Sequence, residues 1–218
     1  MRQPFPRSHA DENLLLLLRH GATANNTANP PRLQGRGSDM PLSEIGREQA
    51  LRTAEFLADR AIDAVYASPL SRAVETAEAI AAPYGVTVSR VAELIECDVG
   101  AWEGLSWAEV AAASPDEHRR FLADPAAHSY AGGESLRQVF ERAAPALDRL
   151  LRGGTGRTIV VVAHNVVNRV VLAPLLGVPL SLARGIPQAN CGINVLRHGG
   201  GRTKLLTLNG VWHLPEWE

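Results

Sequence analysis

The chain has 218 residues, of which 45% are hydrophobic and 21% are charged, and its net charge is −1. This length and composition are typical of one α/β domain with a sizeable core. The near-zero charge excludes a general attraction to nucleic acid or an acidic membrane surface, so any anion site must be local. The two cysteines, Cys97 and Cys191, are too few for a disulfide framework or a cysteine-rich zinc site.

The N-terminal segment 1–13 is expected to be a flexible tail, and residues 14–218 are expected to form a single domain. Five consecutive leucines follow the tail and end at Arg19 and His20. The run is shorter than the about 7–15 residues of a signal-peptide core, and no segment reaches the about 18 apolar residues of a membrane span. We therefore expect a cytoplasmic protein, with 14–18 as a strand buried on both faces.

A long polar loop, 22–40, follows the first strand. Loops of this length in a compact domain are usually functional or disordered, and its start at His20 favours a function. The remaining predicted elements are a helix that Ser43 caps and that runs to about residue 59, strand 64–67, helix 70–82, strand 86–91, loop 93–104, helices 107–113, 115–122 and 134–151, strand 158–163, helix 166–176 and strands 192–196 and 203–208. Pro145 should bend or interrupt its helix.

Two of the apolar strands end at a histidine. The first strand ends at His20, and Thr158–Ala163 ends at His164. Because ligand sites collect at the carboxyl ends of parallel strands, both histidines are expected to line one crevice. One imidazole can act as a nucleophile while the other, together with Arg19, neutralises an oxyanion. This pairing points to phosphoryl chemistry, and Gly21 would let a bound group approach the backbone.

Arg72 is predicted to lie in the first turn of a helix, where the helix dipole disfavours a cation. That position indicates an anionic ligand, which helix amides and the guanidinium could share. If this motif is taken alone, the preferred alternative is that Arg72 is an exposed surface residue. The identity of the proton donor is also left open. Spacing does not choose among the four acidic residues of the next loop, which are Glu93, Glu96, Asp98 and Glu103.

Together these segments resemble the histidine phosphatase superfamily, the phosphoglycerate-mutase-like proteins, from Leu14 to about Leu208. The segments that carry the resemblance are, in order, Arg19-His20-Gly21, Gln34-Gly35, Pro41-Leu42-Ser43, Ser68-Pro69-Leu70-Ser71-Arg72-Ala73, Glu96 with Gly100-Ala101-Trp102-Glu103-Gly104, Gly132-Gly133-Glu134-Ser135, and Val162-Ala163-His164. The resemblance implies a three-layer α/β/α sandwich around a mainly parallel sheet, a phosphohistidine intermediate, and neither a metal nor another cofactor.

The resemblance also implies the role of each site residue. His20 is the nucleophile and Glu96 the proton donor, while three further residues hold the phosphoryl group: Arg19, Arg72 and His164. Phosphate- or substrate-binding roles are implied for three amides: Asn26, Gln34 and Asn165. The chemistry agrees, because a neutral His20 can attack through one ring nitrogen while a backbone carbonyl orients the other. The implied partner is a small phosphorylated substrate, with no nucleic acid or membrane partner and a homodimer as the candidate assembly.

Departures from the family pattern concern the organic part of the substrate. Two additional residues precede Arg32, so its role as a substrate contact stays open. The expected function is a phosphatase, and the alternative is a cofactor-dependent phosphoglycerate mutase, for which Arg119 and Arg120 resemble the arginine pair. Trp107 stands where a mutase lysine is expected and favours the phosphatase. A third reading is a catalytically silent binding module, whose signature would be a missing nucleophile, yet His20 is present.

A metal site is a further alternative, because His20, His164 and Glu96 match a two-histidine, one-carboxylate ligand set. Arg19 and Arg72 beside them would repel a cation. We therefore rank phosphohistidine chemistry above it.

Overall fold

The computed structural model describes residues 10–214, so positions 1–9 of the predicted tail lie outside the described residues. The first strand begins at Asn13, one residue before the predicted start of the domain. The buried Asn13 side chain donates to the carbonyl of Leu151 at 2.7 Å and accepts from the amide of Arg157 at 2.9 Å. These bonds attach the start of the strand to the segment 151–157.

In the described part of the chain, six strands form one sheet, in the order β3-β2-β4-β1-β5-β6. The first four in this order run parallel, β5 is antiparallel to β1, and β6 is antiparallel to β5. The strands are β1 Asn13–Arg19, β2 Ala64–Ala67, β3 Val88–Arg90, β4 Thr158–Ala163, β5 Ile193–Gly199 and β6 Arg202–Gly210. The mainly parallel sheet expected from the sequence is confirmed.

Seven α-helices surround the sheet within the described residues. They are α1 Ala24–Thr27, α2 Glu44–Leu57, α3 Ser71–Ala81, α4 Trp107–Ala113, α5 Pro115–Ala123, α6 Leu136–Arg152 and α7 Asn165–Leu172. Ser43 caps α2 as predicted, since its side chain accepts from the amide of Gly46. The short helix α1 was not predicted, because the polar loop that contains it has no apolar periodicity. No helix within 10–214 combines the length and apolarity needed to cross a bilayer.

The expected interruption at Pro145 is wrong, because α6 continues through that residue from end to end. Pro145 lies on the exposed side of the helix, as does Glu141, whose carbonyl loses its usual partner when proline lacks an N–H. Water can therefore satisfy that carbonyl. The buried side of the helix keeps its contacts through Ala143 and Leu147.

The leucine run of β1 divides its side chains between two cores. Leu14, Leu16 and Leu18 pack with buried residues of α2 and α3 on one face of the sheet. Leu15 and Leu17 pack on the other face with α6, α7 and the helical segment that carries α4 and α5. Successive side chains of a strand point to opposite faces, so a strand buried on both faces needs an unbroken apolar run. This arrangement confirms the three-layer α/β/α sandwich.

The parallel strands β1, β4 and β2 are neighbours, and their carboxyl ends form one edge. The backbone pairing continues just beyond the strands: the amide of His20 donates to the carbonyl of Ala163 at 3.0 Å, and the amide of Ser68 donates to that of Val162 at 2.9 Å. The residues that leave these three strands are therefore held next to one another. This edge carries the candidate site.

Candidate active site

His20 and His164 lie side by side at the carboxyl ends of β1 and β4. Their ring centroids are 5.2 Å apart, with the ring planes inclined at 58°. Both side chains are buried, at 3% and 0% exposure. The pairing that the sequence predicted, two histidines at one edge of the sheet, is present in the structure.

The His20 ring is oriented by its neighbour in the chain. Its Nδ1 atom lies 2.7 Å from the carbonyl oxygen of Gly21, and because a carbonyl only accepts, Nδ1 carries the proton. The Nε2 atom then has a free lone pair. Burial lowers the pKa of His20 well below its ordinary value, and the charges of Arg19 and Arg72 lower it further. His20 is therefore a neutral imidazole at physiological pH, with Nε2 available as a nucleophile.

His164 is held by the loop that follows β2. Its Nε2 atom lies 2.6 Å from the hydroxyl oxygen of Ser68, whereas its buried Nδ1 atom has no partner among the described residues. Burial lowers the pKa of His164 well below its ordinary value, and the nearby charge of Arg72 adds to this effect. Nδ1 is thus a buried polar atom left for a bound group.

Two arginines place positive charge beside both imidazoles. Arg19 donates to the carbonyl of Gln188 at 2.9 Å, and burial lowers its pKa to about 10, so it stays charged at neutral pH. Arg72 is completely buried and donates to the carbonyls of Ser38 and Gly35 at 2.9 and 3.0 Å. The Nε atoms of both arginines are buried without a partner among residues 10–214. Arg72 is therefore not the exposed surface arginine that stood as its alternative.

One of the helix amides expected to share an anion with Arg72 is already in use. The backbone amide of Ser71, the first residue of α3, donates to Oδ1 of Asp39 at 2.6 Å, and its hydroxyl donates to Oδ2 at 2.9 Å. Asp39 therefore caps this helix. The Ser71 amide is therefore not available to a ligand.

A cavity of about 340 Å³ opens in front of His20. Of the four acidic candidates, Glu96 is the one that lines it. Glu96 is 4% exposed, and its two carboxylate oxygens accept from the amides of Cys97 at 2.9 Å and Val166 at 3.3 Å. Arg72 and His164 are completely buried and lie close to His20, although neither lines the cavity as residues 10–214 define it.

The other three acids are committed to structural contacts. Glu93 pairs with Arg149 at 2.5 Å near the surface, and Asp98 pairs with Arg36 at 2.8 Å. Glu103 accepts from the amide of Gly35 at 2.9 Å. None of the three belongs to the wall of the cavity as far as residues 10–214 define it.

The predicted amides all line the cavity. Oδ1 of Asn26 accepts from the amide of Thr23 at 3.1 Å, and Oε1 of Gln34 accepts from the hydroxyl of Thr23 at 2.7 Å. Nε2 of Gln34 and Oδ1 of Asn165 are buried and unpartnered within the described chain. Asn190, which sequence reasoning missed, donates to the carbonyl of His20 at 3.0 Å and also lines the cavity.

The structure gives Gly21 a packing role. A Cβ atom at this position would lie 2.5 Å from the carbonyl oxygen of Gly46, in the first turn of α2. No ligand is needed to explain the glycine, because the backbone of α2 already occupies the space. Gly21 lets the loop after β1 pack against α2.

Of the three further arginines considered in the sequence, only Arg32 is found in the cavity wall within the described residues. Arg32 lines it and donates to the carbonyl of Gly104 at 2.7 Å. Arg119 is exposed and pairs with Asp116 at 3.0 Å, and Arg120 borders a separate surface pocket. Arg169 and Arg184 line the cavity instead. Arg169 lies one helical turn after Val166 on the same face of α7, so periodicity could have found it, whereas no local signal marks Arg184.

The two-histidine, one-carboxylate set does not form a metal cluster. Within residues 10–214, no three His, Cys, Asp or Glu side chains are arranged to hold a metal ion. The charges of Arg19 and Arg72 lower the pKa of His20 and of His164, so both cations lie close to the imidazoles. The electrostatic environment therefore favours an anion at this position.

Comparison with known proteins adds a family match. The model of the histidine phosphatase superfamily (branch 1) matches residues 15–210. The chain is 34% identical over 203 residues to phosphoserine phosphatase 1 of Hydrogenobacter thermophilus, covering 93% of this chain and 95% of that protein. It is 38% identical over 173 residues to glucosyl-3-phosphoglycerate phosphatase of Mycolicibacterium vanbaalenii, covering 76% of this chain and 75% of that one.

A solved structure shares the fold. The phosphoserine phosphatase of Entamoeba histolytica in complex with 3-phosphoglyceric acid superposes with a TM-score of 0.83 at 27% identity, covering 93% of this chain and 100% of that one. A matched bifunctional protein of Mycobacterium tuberculosis is longer, since the 151 matched residues make up 40% of it. Sequence and fold are thus similar, over most of the chain, to proteins that carry phosphatase names.

Proposed function

The chain belongs to the histidine phosphatase superfamily, as one of its phosphatases, and from that premise we propose that it hydrolyses a small phosphorylated metabolite without a metal, through a phosphohistidine on His20. The observation that carries the proposal is the 2.7 Å hydrogen bond from Nδ1 of His20 to the carbonyl of Gly21. This bond leaves the neutral Nε2 atom free to attack phosphorus. The relatives named as phosphatases support the same reaction class.

In the first step, Nε2 of His20 attacks phosphorus in line with the leaving oxygen. A P–N bond forms, the P–O ester bond breaks, and Glu96 gives its proton to the departing alkoxide. Negative charge on the equatorial oxygens is stabilised by three groups: Arg19, Arg72 and His164. Such charge stabilisation is the main requirement of phosphoryl transfer.

In the second step, water attacks the phosphohistidine. The Glu96 carboxylate takes a proton from the water, the P–N bond breaks, and its electrons return to Nε2 of His20. Inorganic phosphate leaves, and Glu96 is protonated again for the next cycle. The position of Glu96 as the acidic residue of the cavity wall supports its use in both steps.

The size of the cavity, about 340 Å³, supports a metabolite-sized substrate. Relatives named for phosphoserine and glucosyl-3-phosphoglycerate support the same class. The mutase alternative loses its arginine pair, because Arg119 is exposed and paired with Asp116 and Arg120 borders another pocket. We therefore keep hydrolysis as the proposed outcome.

The test combines product analysis with trapping of the intermediate. A panel of phosphorylated metabolites is assayed for released phosphate and for isomerised product, and the enzyme is quenched during turnover of a ³²P-labelled ester. We expect phosphate release and an acid-labile, base-stable label that His20→Ala abolishes while the fold is kept. His128→Ala, at an exposed position, serves as the control. Near-wild-type turnover by His20→Ala would exclude the covalent mechanism, and isomerised product would favour the mutase.

A further inference from the structure

The cavity wall holds two arginines that form no ion pair with the described residues. The cavity wall contains one acidic residue, Glu96, against four arginines: Arg19, Arg32, Arg169 and Arg184. Arg32 is satisfied by the carbonyl of Gly104 and by Glu109 at 3.4 Å. Arg169 and Arg184 make no ion pair with the described residues. This excess of positive charge stands in a chain whose net charge is −1.

Arg184 is held in place without using its hydrogen-bond donors. Its guanidinium carbon lies 4.3 Å from the centre of the Trp107 ring and 5.2 Å from that of Phe121. A cation stacked on aromatic rings is attracted through its flat face, so its N–H groups stay free at the edge. They form no hydrogen bond with residues 10–214. The Arg184 guanidinium is therefore held in a fixed orientation, and its N–H donors have no acceptor among the described residues.

Arg169 and Tyr130 complete the group. Nε of Arg169 donates to the carbonyl of Ile186 at 2.8 Å, which fixes the side chain and leaves its terminal nitrogens free of described partners. Tyr130 is 3% exposed and lines the cavity, and its hydroxyl has no hydrogen-bond partner among the described residues. The hydroxyl is therefore free to donate to a group bound in the cavity. The three side chains thus present donors to the same space.

We propose that Arg184, Arg169 and Tyr130 form a subsite that binds a carboxylate of the substrate, so that the enzyme acts on small phosphorylated carboxylic acids. This inference rests on the proposed function, because it places the carboxylate opposite a phosphoryl group held at His20. Three donor groups and two positive charges match a planar anion with two oxygens, which arginine binds in a bidentate manner. A neutral sugar or alcohol would leave both charges desolvated and unpaired.

The test uses two esters that differ only in the carboxylate. 3-Phosphoglycerate carries it, and glycerol 3-phosphate has a hydroxymethyl group in its place. We expect kcat/KM to favour 3-phosphoglycerate by at least about tenfold, in line with the strength of charged hydrogen bonds. Arg184→Gln should lower kcat/KM for 3-phosphoglycerate by about 10- to 100-fold and leave glycerol 3-phosphate and p-nitrophenyl phosphate within about twofold.

Two further variants separate recognition from folding. Tyr130→Phe removes only the hydroxyl, keeps the ring packing, and should lower kcat/KM for 3-phosphoglycerate by about three- to tenfold. Arg120→Gln, an exposed arginine outside this cavity, is the matched control and should change neither ester.

Each contrary result has its own meaning. Equal kcat/KM for the two esters would overturn the subsite, and so would equal losses on both esters in Arg184→Gln. In either case, hydrolysis of p-nitrophenyl phosphate that depends on His20 would still support the proposed function. Preference for fructose 1,6-bisphosphate over fructose 6-phosphate that depends on Arg184 would assign the subsite to a second phosphate instead. No His20-dependent hydrolysis of any ester would overturn the proposed function and the subsite together.

Discussion

Nε2 of His164 lies 2.6 Å from the hydroxyl oxygen of Ser68, across the carboxyl ends of the neighbouring strands β4 and β2. The Ser68 oxygen also accepts from the amide of Leu70 at 3.4 Å, so its own proton is free to point at Nε2. We expect the hydroxyl to donate to Nε2, which places the His164 proton on Nδ1, the ring nitrogen without a described partner. Ser68 would then select the tautomer that can donate to a phosphoryl oxygen.

Ser68→Ala removes this selection, and we expect kcat to fall by about tenfold with a smaller change in KM, because the lost donor acts on the transition state. The free energy of unfolding should fall by about 1 kcal/mol with the hydrogen bond. Ser68→Thr keeps the hydroxyl and is the control. Nitrogen-15 NMR of the histidines checks the cause: a wild-type His164 with its proton on Nε2 would contradict it.

Acid should destabilise the protein in the range in which histidine normally titrates. His20 and His164 have pKa values well below their ordinary value because burial and nearby arginines disfavour the imidazolium, and burial lowers the pKa of His213 to about 4. Below about pH 6.5 the unfolded chain binds protons that the folded chain does not, so the free energy of unfolding falls as the pH falls. The expected loss is ~1.4 kcal/mol per pH unit for each buried histidine.

Urea unfolding between pH 7 and pH 5 measures this loss. His20→Ala should show a shallower decrease than the wild type, by ~1.4 kcal/mol per pH unit, since one such group is gone. His128→Ala, at an exposed position, should follow the wild type. Parallel curves for His20→Ala and the wild type would show that His20 is not held neutral.

The sequence predicted those parts of the fold and site that local chemistry determines. The apolar run of β1 is a strand because both of its faces are buried, and His20 and His164 meet because parallel strands end at one edge. Arg184 could not be predicted, since its role depends on the 180–185 segment folding back onto Trp107. The contact of Gly21 with Gly46 was missed for the same reason: the two residues are far apart in the chain.

Gly21→Ala should destabilise the protein, because the added Cβ would lie 2.5 Å from the carbonyl oxygen of Gly46. Backbone at that distance has to move, and we expect a loss of about 1–3 kcal/mol in the free energy of unfolding. Gly185→Ala is the matched control, since a Cβ there meets nothing within 4 Å. Urea denaturation compares the two, and an unchanged Gly21→Ala protein would mean that this contact is looser than the structure has it.

Activity should survive exhaustive chelation. In the proposed mechanism Arg19 and Arg72 supply the positive charge that a metal would otherwise bring to the phosphoryl oxygens, and the neutral His164 supplies a hydrogen bond. Protein treated with EDTA and freed of metal should keep its wild-type kcat on p-nitrophenyl phosphate. A metal-free protein that is inactive and regains activity with zinc or iron would instead support the two-histidine, one-carboxylate site.

The proton-donor role of Glu96 is distinguishable from a structural role by the leaving group. If Glu96 protonates the leaving oxygen, Glu96→Gln should slow alkyl phosphates by ~10²–10⁴-fold, the usual worth of general acid catalysis. p-Nitrophenyl phosphate should be slowed far less, because p-nitrophenolate needs little protonation.

Asp98→Asn and Glu103→Gln are the matched controls, since both acids lie nearby but outside the cavity wall in the described chain. The loss of activity in these two variants should not depend on the leaving group. Asp98→Asn weakens the contact with Arg36, and Glu103→Gln weakens the contact with the amide of Gly35. Equal losses on both ester types in Glu96→Gln would indicate that Glu96 only positions the loop through its bonds to Cys97 and Val166. A selective loss in a control would transfer the acid role to that residue.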